Sequence, residues 1–159
     1  MVSLVKDPRI INYIMNDPTI KPQMDPLGVF EGQDMDWTEY TEMPQYQFWM
    51  PDTMDGFVLT EQKVPGVREM HVGFLESLRG KAGIEFGKFV INVLFHTGDL
   101  YLYGNTPVNN RAGHIFNRKC GMKEMGEIYH PASGHCKTFA IVNPAFPDAV
   151  YDMIKRNLL

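Results

Sequence analysis

The residues best suited to chemistry lie between positions 68 and 122. Arg79-Gly80-Lys81-Ala82-Gly83 is a short basic turn built largely of small residues. An apolar-rich stretch, Met70 to Leu75, precedes it, and afterwards Phe86, Phe89, Val90, Val93 and Leu94 recur at i, i+3, i+4, i+7 and i+8, which is helical spacing. The pattern predicts strand, tight turn, helix. At such a junction free amides and the positive end of the helix suit a phosphate, and Arg79 and Lys81 add full charges. Neither G-x-x-x-x-G-K-[ST] nor G-x-G-x-x-G is present, so the common nucleotide motifs do not apply. Glu69, His71 and Glu76 are candidate proton acceptors. Glu69 and His71, two apart on one predicted strand, share a face; the plainer alternative for them is a salt bridge or a hydrogen-bonded core histidine. The face of Glu76 depends on whether the strand contains a bulge.

Other chemistries find less support. Cys120, His130, His135 and Cys136 could suggest zinc, but His135 and Cys136 are adjacent, point to opposite faces of a strand, and belong to no C-x-x-C motif. No metal is expected. Serine occurs only at Ser3, Ser77 and Ser133, without a G-x-S-x-G elbow, which disfavours a serine hydrolase. Two cysteines make no disulfide framework, so reduced thiols are the default.

These residues sit in a chain of 159 residues, 44% hydrophobic and 21% charged, most simply one domain with a substantial core. The net charge of −4 argues against general nucleic-acid binding. Met1 to Met70 carries −7 and His71 onward +3, so the basic half holds the proposed phosphate turn. No apolar run is long enough to span a bilayer, and the start Met1-Val-Ser-Leu-Val-Lys-Asp lacks a signal-peptide core. A cytoplasmic protein is expected, with no membrane partner.

The elements that must position the site follow in order. Asp7-Pro8 caps a first helix with Ile10, Ile11, Ile14 and Met15 on one face, ending near Asn16. The stretch from Asp17 to Asp36, rich in Pro, Gly and Asp, reads as a long connection, either a functional flap or a surface wrap. Tyr46 to Met50 and Gly56 to Lys63 read as strands joined through Asp55-Gly56, and Val64-Pro65-Gly66 turns into the next strand, giving an antiparallel meander. After the helix, Gly98 suits a C-cap and Asp99 to Tyr103 a strand, implying a right-handed crossover between parallel strands. Asn109 or Asn110 can cap a short helix bearing Ala112, Ile115 and Phe116, with Gly121 as its stop. Lys123 to Tyr129 and Lys137 to Val142 flank Pro131-Ala-Ser-Gly as a hairpin, and Asp148 can cap a last helix carrying Ala149, Val150, Met153 and Ile154. Tyr46, Phe48, Trp49, Tyr101 and Tyr103 alternate as sheet faces do, and exposed members could line an acceptor pocket.

Arg79-Gly80-Lys81-Ala82-Gly83 at a strand-to-helix junction, followed by a strand and by Asn110-x-x-Gly113-x-x-Phe116-x-x-Lys119-x-Gly121-Met122, resembles the GNAT (Gcn5-related) N-acetyltransferase superfamily from about Tyr46 to Val142. Glu69-Met70-His71 and Thr106-Pro107 look most like small GNAT proteins encoded by bacteriophages. The resemblance implies an α+β (mixed α/β) fold: a mostly antiparallel sheet, one parallel splayed strand pair, and flanking helices. It implies a single domain over 1–159, with an N-terminal helix and loop (1–45), a sheet and cofactor core (46–143), and a C-terminal helix (144–159). It implies acetyl-CoA as co-substrate and acetyl transfer to a primary amine of an unidentified small molecule or protein. The pyrophosphate would meet the amides of Arg79, Gly80, Lys81, Ala82 and Gly83. Pantetheine would lie along Phe74, Leu75, Glu76 and Ser77, with Asn110, Gly113 and Phe116 opposite. Glu69, His71 or Glu76 would take the amine proton.

The chain departs from the family where Ala82 and Ile84 replace Gly and Gly or Ala, where Gly113 replaces Ala, and where Asn117 replaces a Tyr that acts as acid. The alternative is therefore an inactive GNAT-fold structural or interaction protein, such as a virion component. Homo-oligomer or virion assembly stays open, as does location in host cytoplasm or virion.

Overall fold

The computed structural model describes residues 1–150. Seven strands, β1 (Val2–Val5), β2 (Tyr46–Pro51), β3 (Gly56–Val64), β4 (Val67–Phe74), β5 (Tyr101–Pro107), β6 (Lys123–His130) and β7 (Gly134–Val142), form one sheet in the order β1-β2-β3-β4-β5-β7-β6. Every neighbouring pair is antiparallel except β4 and β5, which are parallel. This is the mixed architecture expected: an antiparallel meander, one parallel crossover, and a closing hairpin.

Alternation along the strands supplies a core on each face. On one face Phe48, Met50, Phe57 and Leu59 pack with Ile11, Ile14 and Met15 of α1 (Pro8–Met15), joined by Ile20 and Met35. On the other, Val58, Met70, Leu102 and Phe139 meet Phe86, Val90, Ile91 and Leu94 of α4 (Lys81–His96). Short α2 (Lys21–Met24) and α3 (Thr38–Glu42) interrupt the connection after α1, and α5 (Arg111–Lys119) follows β5. Asp7 caps α1 and Asn110 caps α5, as their residue types foretell.

Several boundaries differ from expectation. The strand read from Met70 to Leu75 starts at Val67 and stops at Phe74, and Glu76–Leu78 forms a 3-10 turn. The Leu75 amide donates to the Asp55 carbonyl, and Ser77 Oγ to Asp55 Oδ2 at 2.9 Å, so the β2–β3 turn pulls the chain out of the sheet there. The strand read from Asp99 begins at Tyr101, because the amides of Leu100 and Tyr101 both donate to the Gly66 carbonyl. β1 is a further strand that local pattern does not reveal; it forms by pairing with β2. The chain turns helical at 147, one residue before the expected Asp148 cap, and Met153 and Ile154 lie outside the described residues.

The connection from Asp17 to Asp36 is tied down at its far end. Asn16 donates to the Met35 carbonyl at 2.8 Å and accepts from its amide at 2.7 Å, while Asn12 Oδ1 accepts from the Trp37 amide at 2.7 Å. Asn12 of α1 and its C-cap Asn16 thus place Trp37 and Met35.

At the joined end of β4 and β5, Arg68 Nε donates to Asp99 Oδ2 at 2.8 Å, with the two side chains only 10% and 8% exposed. Removing one partner of a buried ion pair strands the other charge and costs about 3–5 kcal/mol. Asp99→Ala is therefore expected to lower unfolding free energy by about that amount in urea titration; a change under roughly 1 kcal/mol, the range of exposed pairs, would show that the pair does not clamp these strands.

Candidate active site

β4 and β5 pair only at Val67↔Tyr101, Arg68↔Leu102 and Glu69↔Tyr103. Beyond Glu69 each strand follows its other neighbour, β4 staying with β3 to Phe74 and β5 with β7 to Pro107. The result is a wedge. A cleft of about 270 Å³ occupies it, lined by Met70, Val72, Ile91 and Asn117 from the α4 side and by Trp37, Tyr46, Glu61 and His71 from the α1 side. Residues of both faces line one space, so it passes through the sheet. The Met70 carbonyl faces β5, since a Cβ on Gly104 would stand 3.0 Å from its oxygen. Backbone groups alternate sides along a strand, so the Val72 amide points the same way, into the wedge where no strand meets it.

A second cleft, about 520 Å³, adjoins the first through Val72, Asn110, Gly113 and Phe116 and reaches Arg79, Gly80 and Ile84 at the start of α4. No side chain caps α4, and the first amides of a helix have no acceptor within it. Gly80, with φ +78°, takes at the turn into α4 a backbone conformation that favours glycine. Gly83 has a different reason to be glycine. A Cβ there would lie 2.6 Å from the Leu78 carbonyl oxygen and 2.9 Å from Phe74, so its small size serves the packing of α4 on the 3-10 turn. Asn110 Oδ1 accepts from the Gly113 amide at 2.9 Å. A Cβ on Gly113 would come within 2.7 Å of Thr106 Cγ2 and 3.0 Å of Asn110 Nδ2, so alanine would not fit without movement.

The anticipated residues therefore divide into two groups. Phe74, Arg79, Gly80, Asn110, Gly113 and Phe116 line the outer cleft, with Phe74 and Phe116 touching edge to face at 5.3 Å. Leu75, Glu76 and Ser77 line neither cleft: Leu75 packs towards the α1-side core, Glu76 is exposed, and Ser77 is held by Asp55. Lys81 and Ala82 are exposed on the first turn of α4.

At the apex of the wedge Glu69 is only 4% exposed. It accepts from Asn105 Nδ2 at 3.0 Å and lies 3.1 Å from Lys63 Nζ, which also reaches Glu61 at 2.7 Å. Asn105 Oδ1 in turn accepts from Thr138 Oγ1 at 2.7 Å. His71 Nε2 stands 3.9 Å from Glu69. Burial works against the Glu69 carboxylate, but His71, Lys63 and Asn105 together hold it below its usual range, so it is ionised. Burial pushes the His71 imidazole below its ordinary value, with Glu69 and Glu61 pulling the other way. A neutral histidine in a cleft can accept a proton near pH 7. Asn117 is buried and donates through Nδ2 to Thr106 Oγ1 at 2.9 Å, tying α5 to β5.

Sequence reading missed Trp37, Tyr40, Glu61 and Asn105, all of which line the inner cleft. Glu61 and Lys63 carry a weak signal, being charges two apart on a strand opposite Glu69. Of the alternating aromatics Tyr46 lines the cleft, while Phe48 and Trp49 are core. His130 lines it too, with His135 paired to Glu127 at 2.9 Å and Cys136 buried.

No protein-family model matches the sequence, and no curated relative does. Solved structures do. An aminoglycoside acetyltransferase, AAC(6')-Ib, in complex with coenzyme A superposes with a TM-score of 0.66 at 15% identity over 92% of this chain and 96% of that one. A ribosomal-protein-alanine N-acetyltransferase from Brucella melitensis gives 0.68 at 13% identity over 89% and 99%. A spermidine N-acetyltransferase, the SpeG F149A mutant, from Vibrio cholerae gives 0.68 at 14% over 94% and 99%. The chain has the N-acetyltransferase fold.

Gly83→Ala tests the packing role of that glycine. It should lower unfolding free energy by about 1–3 kcal/mol, the range for overpacking, visible as a fall in melting temperature without any ligand. An unchanged melting temperature would show that its small size does not govern this packing.

Proposed function

We propose that this protein is an acetyl-CoA-dependent N-acyltransferase that acetylates a primary amine. The observation that carries the reading is the wedge between parallel β4 and β5 opening beside the uncapped start of α4. Two further facts support it: the fold is shared with solved N-acetyltransferases, and one of these holds coenzyme A. In this reading the amides of Arg79 to Gly83 receive the pyrophosphate, and pantetheine lies in the wedge along Val72 to Phe74 with Asn110 opposite. Because β4 ends at Phe74, Leu75, Glu76 and Ser77 shape the turn and leave proton transfer to His71. Phe116 and Gly113 wall the same passage.

When bound, acetyl-CoA supplies a thioester whose carbonyl carbon an amine can attack. The Val72 amide is placed to donate to the oxygen that gains charge, the task of an oxyanion hole. The His71 imidazole takes the proton from the attacking nitrogen as the N–C bond forms, and Glu69 steadies the imidazolium. As the C–S bond breaks, the departing thiolate recovers a proton from imidazolium or water. Asn117 Nδ2 is engaged by Thr106, and an amide is no acid at neutral pH, so this side chain supplies position only.

That same substitution favours a second reading in which the fold is kept without transfer, as in a structural or virion component. Thermal denaturation with acetyl-CoA separates the two. Ligand at a hundredfold over its dissociation constant should add about 2.7 kcal/mol of stability, and an unchanged melting temperature at millimolar ligand would sink the transferase reading.

Among active preparations, His71→Gln is expected to lower kcat about 100-fold or more, the scale of general-base catalysis. In the parent protein the acid limb of kcat/KM should fall below the ordinary histidine value of about 6.5, because burial depresses the folded-state pKa and keeps the base neutral to lower pH. A limb above that value, or wild-type kcat in the variant, would exclude His71 as base.

A further inference from the structure

The inner cleft carries more than a base. At its α1-side mouth three aromatic rings stand together: Trp37 and Tyr40 have centroids 5.1 Å apart at 52°, and Tyr40 and Tyr46 have centroids 5.1 Å apart at 88°. Tyr46 is the direct cross-strand partner of Glu61. Among the described residues lining this cleft Glu61 is the only one with a full charge apart from the titratable His71 and His130. Lys63 takes Oε2 of Glu61 and Oε2 of Glu69, so two carboxylates share one ammonium and one negative charge is left over. Aromatic faces beside a carboxylate hold an ammonium group well and a carboxylate poorly.

The spacing from this box to the base is set by the strands. Glu61 pairs with Glu69, and Leu59 with His71, so the two points lie two residues apart along the ladder, roughly 7 Å. A butyl or pentyl chain spans that distance. We infer that the acceptor is a compact amine with a second cationic nitrogen, an α,ω-diamine, whose reacting end lies beside His71 and whose other end sits among Trp37, Tyr40, Tyr46 and Glu61. The inference rests on the transferase reading above. It also excludes a class: an acceptor bearing a carboxylate at the far end meets Glu61 and no lining cation.

The test is thiol release from acetyl-CoA with three four-carbon probes: putrescine, butylamine and 4-aminobutyrate. The expected kcat/KM for putrescine exceeds that for butylamine by about tenfold or more, the scale of one desolvated cation–π contact, and 4-aminobutyrate falls below both. Glu61→Gln and Tyr46→Leu should each shrink the putrescine preference, through KM more than kcat. Equal rates for the two amines, or a preference that both variants keep, would overturn the inference while leaving the transferase reading intact. If acetyl-CoA produces no melting shift, both fall together. If acetyl-CoA binds and no probe is acetylated, putrescine is titrated into the acetyl-CoA-loaded protein by calorimetry; saturable binding weakened by Glu61→Gln supports the box, and its absence overturns it.

Discussion

Parallel β4 and β5 are forced together at one end, and the rest of the molecule takes its form from that junction. The Gly66 carbonyl accepts from both Leu100 and Tyr101, and Arg68 meets Asp99 beneath. After three paired positions the strands answer to different neighbours, and the twist natural to sheets turns them apart. A gap inside a sheet exposes backbone groups that would normally be paired. Here those unpaired groups are what a ligand can use, so the opening is costly to the empty fold and useful to a filled one.

The apex of the gap is where a buried carboxylate would be most damaging, and Glu69 is held there by Lys63 and Asn105, with Thr138 supporting Asn105. A polar network whose members are satisfied is rigid, whereas a half-satisfied one is costly. Its rigidity gives His71 a defined neighbour. The two residues are pushed in opposite senses: cations and donors around Glu69 favour its charged form despite burial, while burial favours the neutral form of His71 despite a nearby carboxylate.

Close approach, more than flexibility, governs the glycines that matter. Gly83 lets α4 settle on the Leu78 carbonyl, Gly104 lets β5 pass the Met70 carbonyl, and Gly113 lets α5 start against Thr106. Each sits on an element bordering the wedge. Gly66 and Gly80, with their positive φ, serve instead the direction of the chain. The connection after α1 completes the enclosure, because Asn12 and Asn16 bind its far end and bring Trp37 over the opening.

Period and turn chemistry were enough to read α1, α4, α5, the meander and the last hairpin from residues alone, since apolar spacing, Asp7, Asn110 and Gly66 act locally. The glycine-bearing turn into α4 and the shared face of Glu69 and His71 were legible for the same reason. The exit of Leu75 to Ser77 from the strand was not, because Asp55, some twenty residues earlier, causes it. Nor was the inner cleft, in which Trp37 and Tyr40, Glu61, and Asn105 come from three separate segments. Local sequence determines which elements form and which face of each is apolar; where two strands part, and which distant side chains border the gap, is decided only when hydrogen bonds and packing link residues far apart in the chain.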